Sequence, residues 1–514
     1  VSRPAGVGAP ARAGTWGWPR RGGGPGPTTP PLPGAVPGTL PGTGYRTLNY
    51  RRWVPASFAI AAASLLGLPN GLGYDPWSWL VWGRELDHGA LVTAGAASSV
   101  KPLPMFADVL LAPFGGAAAD LWLVCARAGV AISVVLAYHL ARVLAGRTAG
   151  VTAGAGWLTA SQVAGYLTFE GMSEPLCAAF VLAAVDAHLG GRRWRAAALG
   201  VAGALVRIEL APFVAIYGAL VLLKQSRRPK RAAVLLAAML VVVPAAWLLP
   251  DAISSGDVFR SAVRATYQSQ GGPLLSRVPG LSELADAAGM LVWPLVVGFV
   301  ADTVASLVAW VRHRQVRPTL PLAALAWGWV AVEAVMVQLR VDTGAPRYLL
   351  PGVALAAVVA GCAWSRALRA LPRLVPKAKP ALLVAMAWLV LAAAPANALV
   401  ERTRAERSSW VSARTVEHLA SELPAAVSAL GGRRLVLSCG TVAAAPLQNP
   451  VVAWQLDVPL GQVGISPAAR GVVLSVAGQP PIPEQYRGDY RTVGVLGPPS
   501  WRWVAMTTCP PPGR

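Results

Sequence analysis

The chain has 514 residues, 54% hydrophobic and only 13% charged, against roughly 25% charged in an ordinary soluble domain. So few charges cannot cover a water-facing surface of this size, which excludes a simple soluble enzyme and leaves a lipid-facing protein. The net charge of +22 raises nucleic acid as a partner, but the basic residues fall in short clusters between apolar runs, and no nucleic-acid motif is present.

Residues 1–44 are rich in Pro and Gly without periodicity, and are expected to be a disordered cytoplasmic tail. Arg21-Gly22-Gly23-Gly24 is not a phosphate loop, since no strand precedes it and no Gly-Lys-Ser/Thr follows. Apolar runs then predict spans near 54–72, 118–141, 148–168, 174–190, 195–207, 210–223, 231–249, 287–310, 318–338, 347–364 and 380–399. A span needs about 20 residues, so the short fifth and sixth are expected to be broken, tilted or re-entrant.

The loops test this count. Arg46, Arg51 and Arg52 precede the first span, Arg142 and Arg147 follow the second, and Arg192, Arg193 and Arg195 follow the fourth. Lys224, Arg227, Arg228, Lys230 and Arg231 follow the sixth; Arg312, Arg314 and Arg317 follow the eighth. Arg366, Arg369, Arg373, Lys377 and Lys379 follow the tenth. All dense clusters share one side, which predicts a multi-pass protein of the plasma (inner) membrane with its N-terminus inside and its tail outside. The expected fold class is mainly α: a polytopic transmembrane helix bundle of about eleven spans with a small extracytoplasmic α/β C-terminal domain. The domains are then the tail 1–44, a transmembrane domain 45–400 and the outer domain 401–514.

In that outer domain, residues 411–430 read as a helix with Val416, Leu419, Leu423 and Val427 on one face. Strands are predicted at Arg434–Cys439, Val451–Leu456, Gly471–Val476, Arg491–Leu496 and Trp501–Met506. Cys125, Cys177 and Cys362 lie in apolar spans and read as small buried hydrophobes. Cys439 and Cys509 lie outside them, either as a disulfide in an oxidising compartment or as two thiols; their spacing is not that of a zinc site.

Residues with chemistry concentrate on the predicted outer side. The first outer loop carries Tyr74-Asp75-Pro76-Trp77-Ser78-Trp79 and Lys101-Pro102-Leu103-Pro104. Trp77, Trp79 and Trp82 read most simply as headgroup-level anchors. By spacing alone Asp75 is a solvated loop acid or a catalytic carboxylate, and Lys101 an interfacial cation or a phosphate contact. Arg207 and Glu209 lie in the short fifth-to-sixth region. Because residues two apart do not share a helix face, they predict a helix break there, lining a cavity or forming a short outer loop. Glu333 lies inside the ninth span, where it pairs with an Arg of the bundle or tunes a cavity acid, and Arg340 with Asp342 reads as a local salt bridge. His88 has no second histidine at metal-ligand spacing.

These segments together resemble the GT-C superfamily of membrane glycosyltransferases, most of all bacterial members similar to the protein O-mannosyltransferase and lipid A aminoarabinose transferase families. Tyr74-Asp75 matches the acidic position early in their first outer loop, and Lys101-Pro102-Leu103-Pro104 is similar to the Lys-Pro-Pro-Leu element that ends it, with the second Pro displaced. Glu170-Gly171-Met172-Ser173-Glu174-Pro175 resembles the Ser-Glu-Pro opening of the fourth span. Leu205-Val206-Arg207-Ile208-Glu209 resembles a Leu-Arg-Pro-Glu segment with Ile208 in place of Pro, and Arg347-Tyr348-Leu349-Leu350-Pro351 resembles the opening of a late span.

The resemblance implies sugar transfer (mannose, or another hexose or pentose) from a polyprenyl-phosphate donor to a cell-envelope glycan, glycolipid or protein outside the membrane. It further implies inversion, with Asp75 as the base, the lipid phosphate met by Lys101, Arg207 or Arg347, and a substrate and lipid-phosphate site made up of Tyr74, Lys101, Glu174, Arg207, Glu209, Arg347 and Tyr348. No metal or other cofactor is predicted, although some members of the superfamily use a divalent cation, which Asp75 and Glu174 would hold. The competing classes are a secondary transporter, which also keeps intramembrane charges and broken helices, and a non-catalytic envelope-assembly protein. Against the transporter, no internal repeat is evident.

Overall fold

A computed structural model describes residues 45–94, 98–224, 229–266, 273–374, 385, 389, 393, 395–477, 488–498 and 501–510. The predicted tail 1–44 and most of the predicted last span, 380–399, lie outside them.

Five helical segments among the described residues are long and apolar enough to cross a membrane: Pro102–Ala145, Pro229–Ser255, Trp293–His313, Leu320–Gln338 and Pro346–Leu371. The other predicted spans are shorter helices. The first is Tyr50–Ser64, ending before the Leu68-Pro69-Asn70-Gly71 stretch. The third is Arg147–Leu158, broken from a single turn Tyr166–Phe169 by an irregular stretch in which Gln162 has φ 70°. Glu174–Leu189 and Arg193–Ala204 follow. At the fifth-to-sixth region Arg207 is extended (φ −140°, ψ 113°), so the helix does break there. The chain then resumes through Ile208–Leu210 and Ala211–Tyr217.

The bundle interior is filled by Leu136, Leu140, Trp157, Leu182, Trp329, Leu355 and Val358. Small residues let the helices touch. A Cβ on Gly361 would stand 2.5 Å from the Ala149 carbonyl oxygen. Exposed Val241, Val242, Val304, Val308 and Val311 continue the apolar surface outward, as lipid-facing helices require.

The segment expected as the first outer loop is largely helical, through Tyr74–Asp87 and Pro102–Leu111. The tryptophans correct the expectation more sharply. Trp79 and Trp82 are fully buried, in a second core that includes Trp122, Leu419, Leu423, Val452, Leu456 and Trp503. They are not anchors in headgroups but the seam between the first outer segment and the C-terminal part. Arg84 seals that seam, donating to the Trp454 carbonyl at 2.9 Å and the Val458 carbonyl at 3.0 Å while lying 4.9 Å over the Trp454 ring.

The C-terminal part begins on a long helix, Ala396–Ala429, and holds a five-stranded sheet. The strands are β1 Thr441–Ala444, β2 Val463–Gly464, β3 Gly471–Val476, β4 Arg491–Leu496 and β5 Trp503–Thr507, in the order β2-β1-β3-β5-β4. β1 runs parallel to β2 and β3, and β5 antiparallel to β3 and β4. Two predicted strands are helices: Arg433–Ser438 and Asn449–Leu456. Short Val/Leu runs do not distinguish a buried strand from a buried helix, and Pro450 in the first turn together with the Gly431–Gly432 turn decide for helix. Cys439 and Cys509 are joined in a disulfide with Cα atoms 5.8 Å apart.

Gly71 shows how closely the two parts meet. A Cβ there would stand 2.1 Å from the Ala413 carbonyl oxygen and 2.8 Å from the Glu417 nitrogen, both backbone atoms that no rotamer change can move. Gly71→Ala is therefore expected to lower stability by about 1–3 kcal/mol, read as a lower unfolding temperature with faster proteolysis of the C-terminal part.

Candidate functional site

Besides the break at Arg207, four chain breaks deliver the predicted residues. Gly73 is extended and donates its N–H to the Glu170 carbonyl at 3.0 Å, which ties the start of helix Tyr74–Asp87 to the 166–173 turn and puts Asp75 in the first helical turn. Lys101 precedes Pro102 and takes the extended conformation that a residue before Pro favours (φ −120°, ψ 111°), so its side chain leaves the helix N-terminus sideways. Glu174 opens its helix ahead of Pro175. Arg347 and Tyr348 sit in the single turn Pro346–Leu349 that leads into Leu350–Leu374.

These side chains form one cluster. Lys101 Nζ lies 2.9 Å from Glu174 Oε1 and donates to Ser173 Oγ at 3.1 Å. Arg347 Nε lies 3.5 Å from the same Glu174 oxygen, while its Nη2 is 3.3 Å from Asp75 Oδ2. Arg347 also donates to the Tyr166 hydroxyl at 3.0 Å and to the Tyr348 hydroxyl at 3.4 Å. The Tyr348 ring carries the Arg207 guanidinium on its face, 3.6 Å from the centroid. Arg207 in turn holds Glu209 through two hydrogen bonds, with Glu333 and Asp342 each 3.9 Å away.

Asp75, Lys101, Glu174, Arg207, Glu209, Arg347 and Tyr348 are thus linked by direct contacts. Tyr74 is the helix neighbour of Asp75, and its carbonyl accepts from Ser78 Oγ at 2.9 Å. Asp342 meets Arg207, not the exposed Arg340 beside it in sequence. Asp75 and Glu174 face the same Arg347 guanidinium, which bridges the two acids.

Three partners escaped the sequence reading. Tyr166 looks like an ordinary residue inside a span, and only the helix break after Leu158 turns its hydroxyl towards Arg347. Nothing in the sequence singles out the Ser173 hydroxyl that accepts from Lys101, or the Trp79 ring that lies 5.0 Å under the same ammonium. A cleft of about 360 Å³ opens beside the cluster, lined by Ser161, Gln162, Tyr166, Arg402, Ala405, Glu406 and Ser409.

Exposure separates the roles open to these groups. The Glu174 side chain is 0% exposed, while those of Asp75 and Arg347 keep 14% and 15%. Glu174 can only organise cations; Asp75 can be reached. The arrangement can therefore take a proton at Asp75 and hold an anion with Arg347, Lys101 and Arg207.

Glu170, in the predicted outer loop beside the cluster, has its carboxyl pushed up to about 7 by burial and by the Asp75 charge, against the pull of Arg347. Burial likewise raises Glu85 to about 7. A carboxyl whose folded value lies above its unfolded one, near 4.5, adds stability that is complete below 4.5 and lost as pH rises through about 7. The unfolding temperature is expected to fall across that window, and Glu170→Gln and Glu85→Gln should each flatten the slope; a slope unchanged in both variants would rule these two groups out as its source.

No family model matches the sequence, and no curated protein matches it. Among solved structures, the chain is similar to ArnT from Cupriavidus metallidurans bound to undecaprenyl phosphate, at 13% identity and a TM-score of 0.49, over 90% of this chain and 99% of that one. The same protein in the apo state gives 13% and 0.48, over 88% and 97%. The archaeal oligosaccharyltransferase AglB from Archaeoglobus fulgidus, in complex with an inhibitory peptide and a dolichol-phosphate, gives 14% and 0.45, over 83% and 69%.

Proposed function

We propose that the chain is a membrane glycosyltransferase that moves a sugar from a polyprenyl-phosphate donor to an acceptor in the cell envelope, on the outer face of the plasma membrane. The observation that carries this reading is the contact of Asp75 with Arg347 at 3.3 Å inside a cluster that also holds Lys101 and Arg207. A reachable carboxylate beside three cations matches the two demands of the reaction.

The acceptor oxygen attacks the anomeric carbon and forms the new glycosidic bond. Its proton goes to Asp75. The bond from that carbon to the phosphate oxygen breaks, and the lipid phosphate departs with the electron pair. Its growing negative charge is met by Arg347, with Lys101 and Arg207 behind it, in surroundings where fixed charges act strongly. Displacement in line with a single base gives inversion. Glu174 holds Lys101 and Arg347 in place, since its one oxygen lies within 3.5 Å of both. The sugar is a mannose or another hexose or pentose, and the acceptor a glycan, glycolipid or protein of the envelope.

The test is transfer by purified protein given radiolabelled polyprenyl-phosphate sugars and an envelope extract. Label should move to the acceptor. Absence of transfer with every donor, together with solute flux in proteoliposomes, would replace the transferase reading by a transporter.

A further inference from the structure

Behind Arg207 lies a second group of acids that the proposed transfer does not use. Glu209, Glu333 and Asp342 each place a carboxylate oxygen within 4.8 Å of the others, and all three residues are buried. We propose that these three carboxylates form a binding site for one hard divalent cation, of the magnesium, calcium or manganese class.

Charge is the first reason. Arg207 is the one basic side chain in ion-pair range of the group among the described residues, and it forms its hydrogen bonds with Glu209. With all three acids ionised, two negative charges would face each other in a buried site, and burying even one unpaired carboxylate is strongly unfavourable. Glu333 supplies a second and independent reason. It is 0% exposed on the helix Leu320–Gln338, and among the described residues neither of its oxygens has a hydrogen-bond partner. A proton shared between two of the carboxylates would remove one charge, but it gives Glu333 a single hydrogen bond for its two oxygens. A metal ion satisfies both oxygens at once.

The geometry and donor type agree. Cation–oxygen distances of about 2.1–2.5 Å place ligand oxygens roughly 3–5 Å apart, the spacing seen here. An all-carboxylate donor set favours hard cations over zinc or copper. Asp342 turns one oxygen to the Gly344 N–H at 2.9 Å and keeps the other for the cluster. Glu283 adds a further buried carboxylate whose oxygens have no hydrogen-bond partner among the described residues: its Oε2 would stand 2.7 Å from a Cβ on Gly344, two residues after Asp342. The three ligands come from the helix break at 207–210, the helix Leu320–Gln338 and the loop after it. An ion there cross-links three elements directly behind the Arg207–Tyr348 stack.

The test reads binding and not transfer, so its result is separable from the transferase reading. The full-length protein is purified in detergent, stripped with EDTA, and titrated with magnesium, calcium or manganese at matched ionic strength, with bound metal and unfolding temperature measured. One equivalent of one of these ions should bind and raise the unfolding temperature by about 2–4 °C or more. Glu333→Gln and Asp342→Asn should lose both effects, while the exposed Asp87→Asn keeps them. In EDTA, Glu333→Gln should be at least as stable as the parent, since it removes an uncompensated charge. Lack of stoichiometric metal in the parent, or the same ion-dependent shift in Glu333→Gln and Asp342→Asn, overturns the proposal.

Discussion

Asp75→Asn is expected to reduce sugar transfer by about 10²–10⁴-fold while leaving the protein folded. The amide is isosteric and still offers Arg347 an oxygen at the 3.3 Å contact, so the cluster persists but nothing in it can accept the acceptor's proton. The loss should fall on turnover, with the Michaelis constant for the donor little changed, because a carboxylate does not hold a phosphate. Arg347→Lys should show a different pattern. A lysine keeps the charge but cannot span Asp75, Glu174, Tyr166 and Tyr348 at once, so both donor affinity and turnover should suffer. Transfer rates for the two variants, with unfolding temperature as the control, check both patterns. Full activity in Asp75→Asn removes this carboxylate from its assigned place.

Glu174→Ala should have the largest effect on stability, about 3–5 kcal/mol. Its Oε1 lies 2.9 Å from Lys101 and 3.5 Å from Arg347 with no solvent to replace it. Removing the carboxylate leaves the buried Lys101 and the largely buried Arg347 facing each other without their shared counter-charge. Glu174→Gln should be milder, since an amide oxygen still accepts from Lys101. A double-mutant cycle with Lys101→Met checks the cause. If the buried pair is the source, the combined variant should be clearly more stable than the sum of the single losses, because the second change removes the charge stranded by the first. Strict additivity would place the cost of Glu174→Ala in lost packing instead.

The helix break at Arg207 and Glu209 was legible from their spacing, because two charges two residues apart cannot share a buried helix face. So was the convergence of the outer-loop motifs, since each lies where a span begins or ends. The lost strands show the limit. Arg433–Ser438 and Asn449–Leu456 carry Val/Leu runs like that of β3, and the runs alone do not tell them apart; the Gly431–Gly432 turn and Pro450 in the first helical turn do.

The sequence by itself determined the membrane character, through long apolar runs with few charges, and it determined which residue types stand at the ends of those runs. Both are properties of a local stretch of chain meeting lipid or water. Only the tertiary structure decided that Trp79 and Trp82 are core residues and not interfacial anchors, that Tyr166 reaches Arg347, and that Asp342 belongs to Arg207 and not to Arg340. Each of those depends on contacts across long stretches of sequence, where the partner of a buried charge or ring is chosen by what the fold brings within a few ångströms.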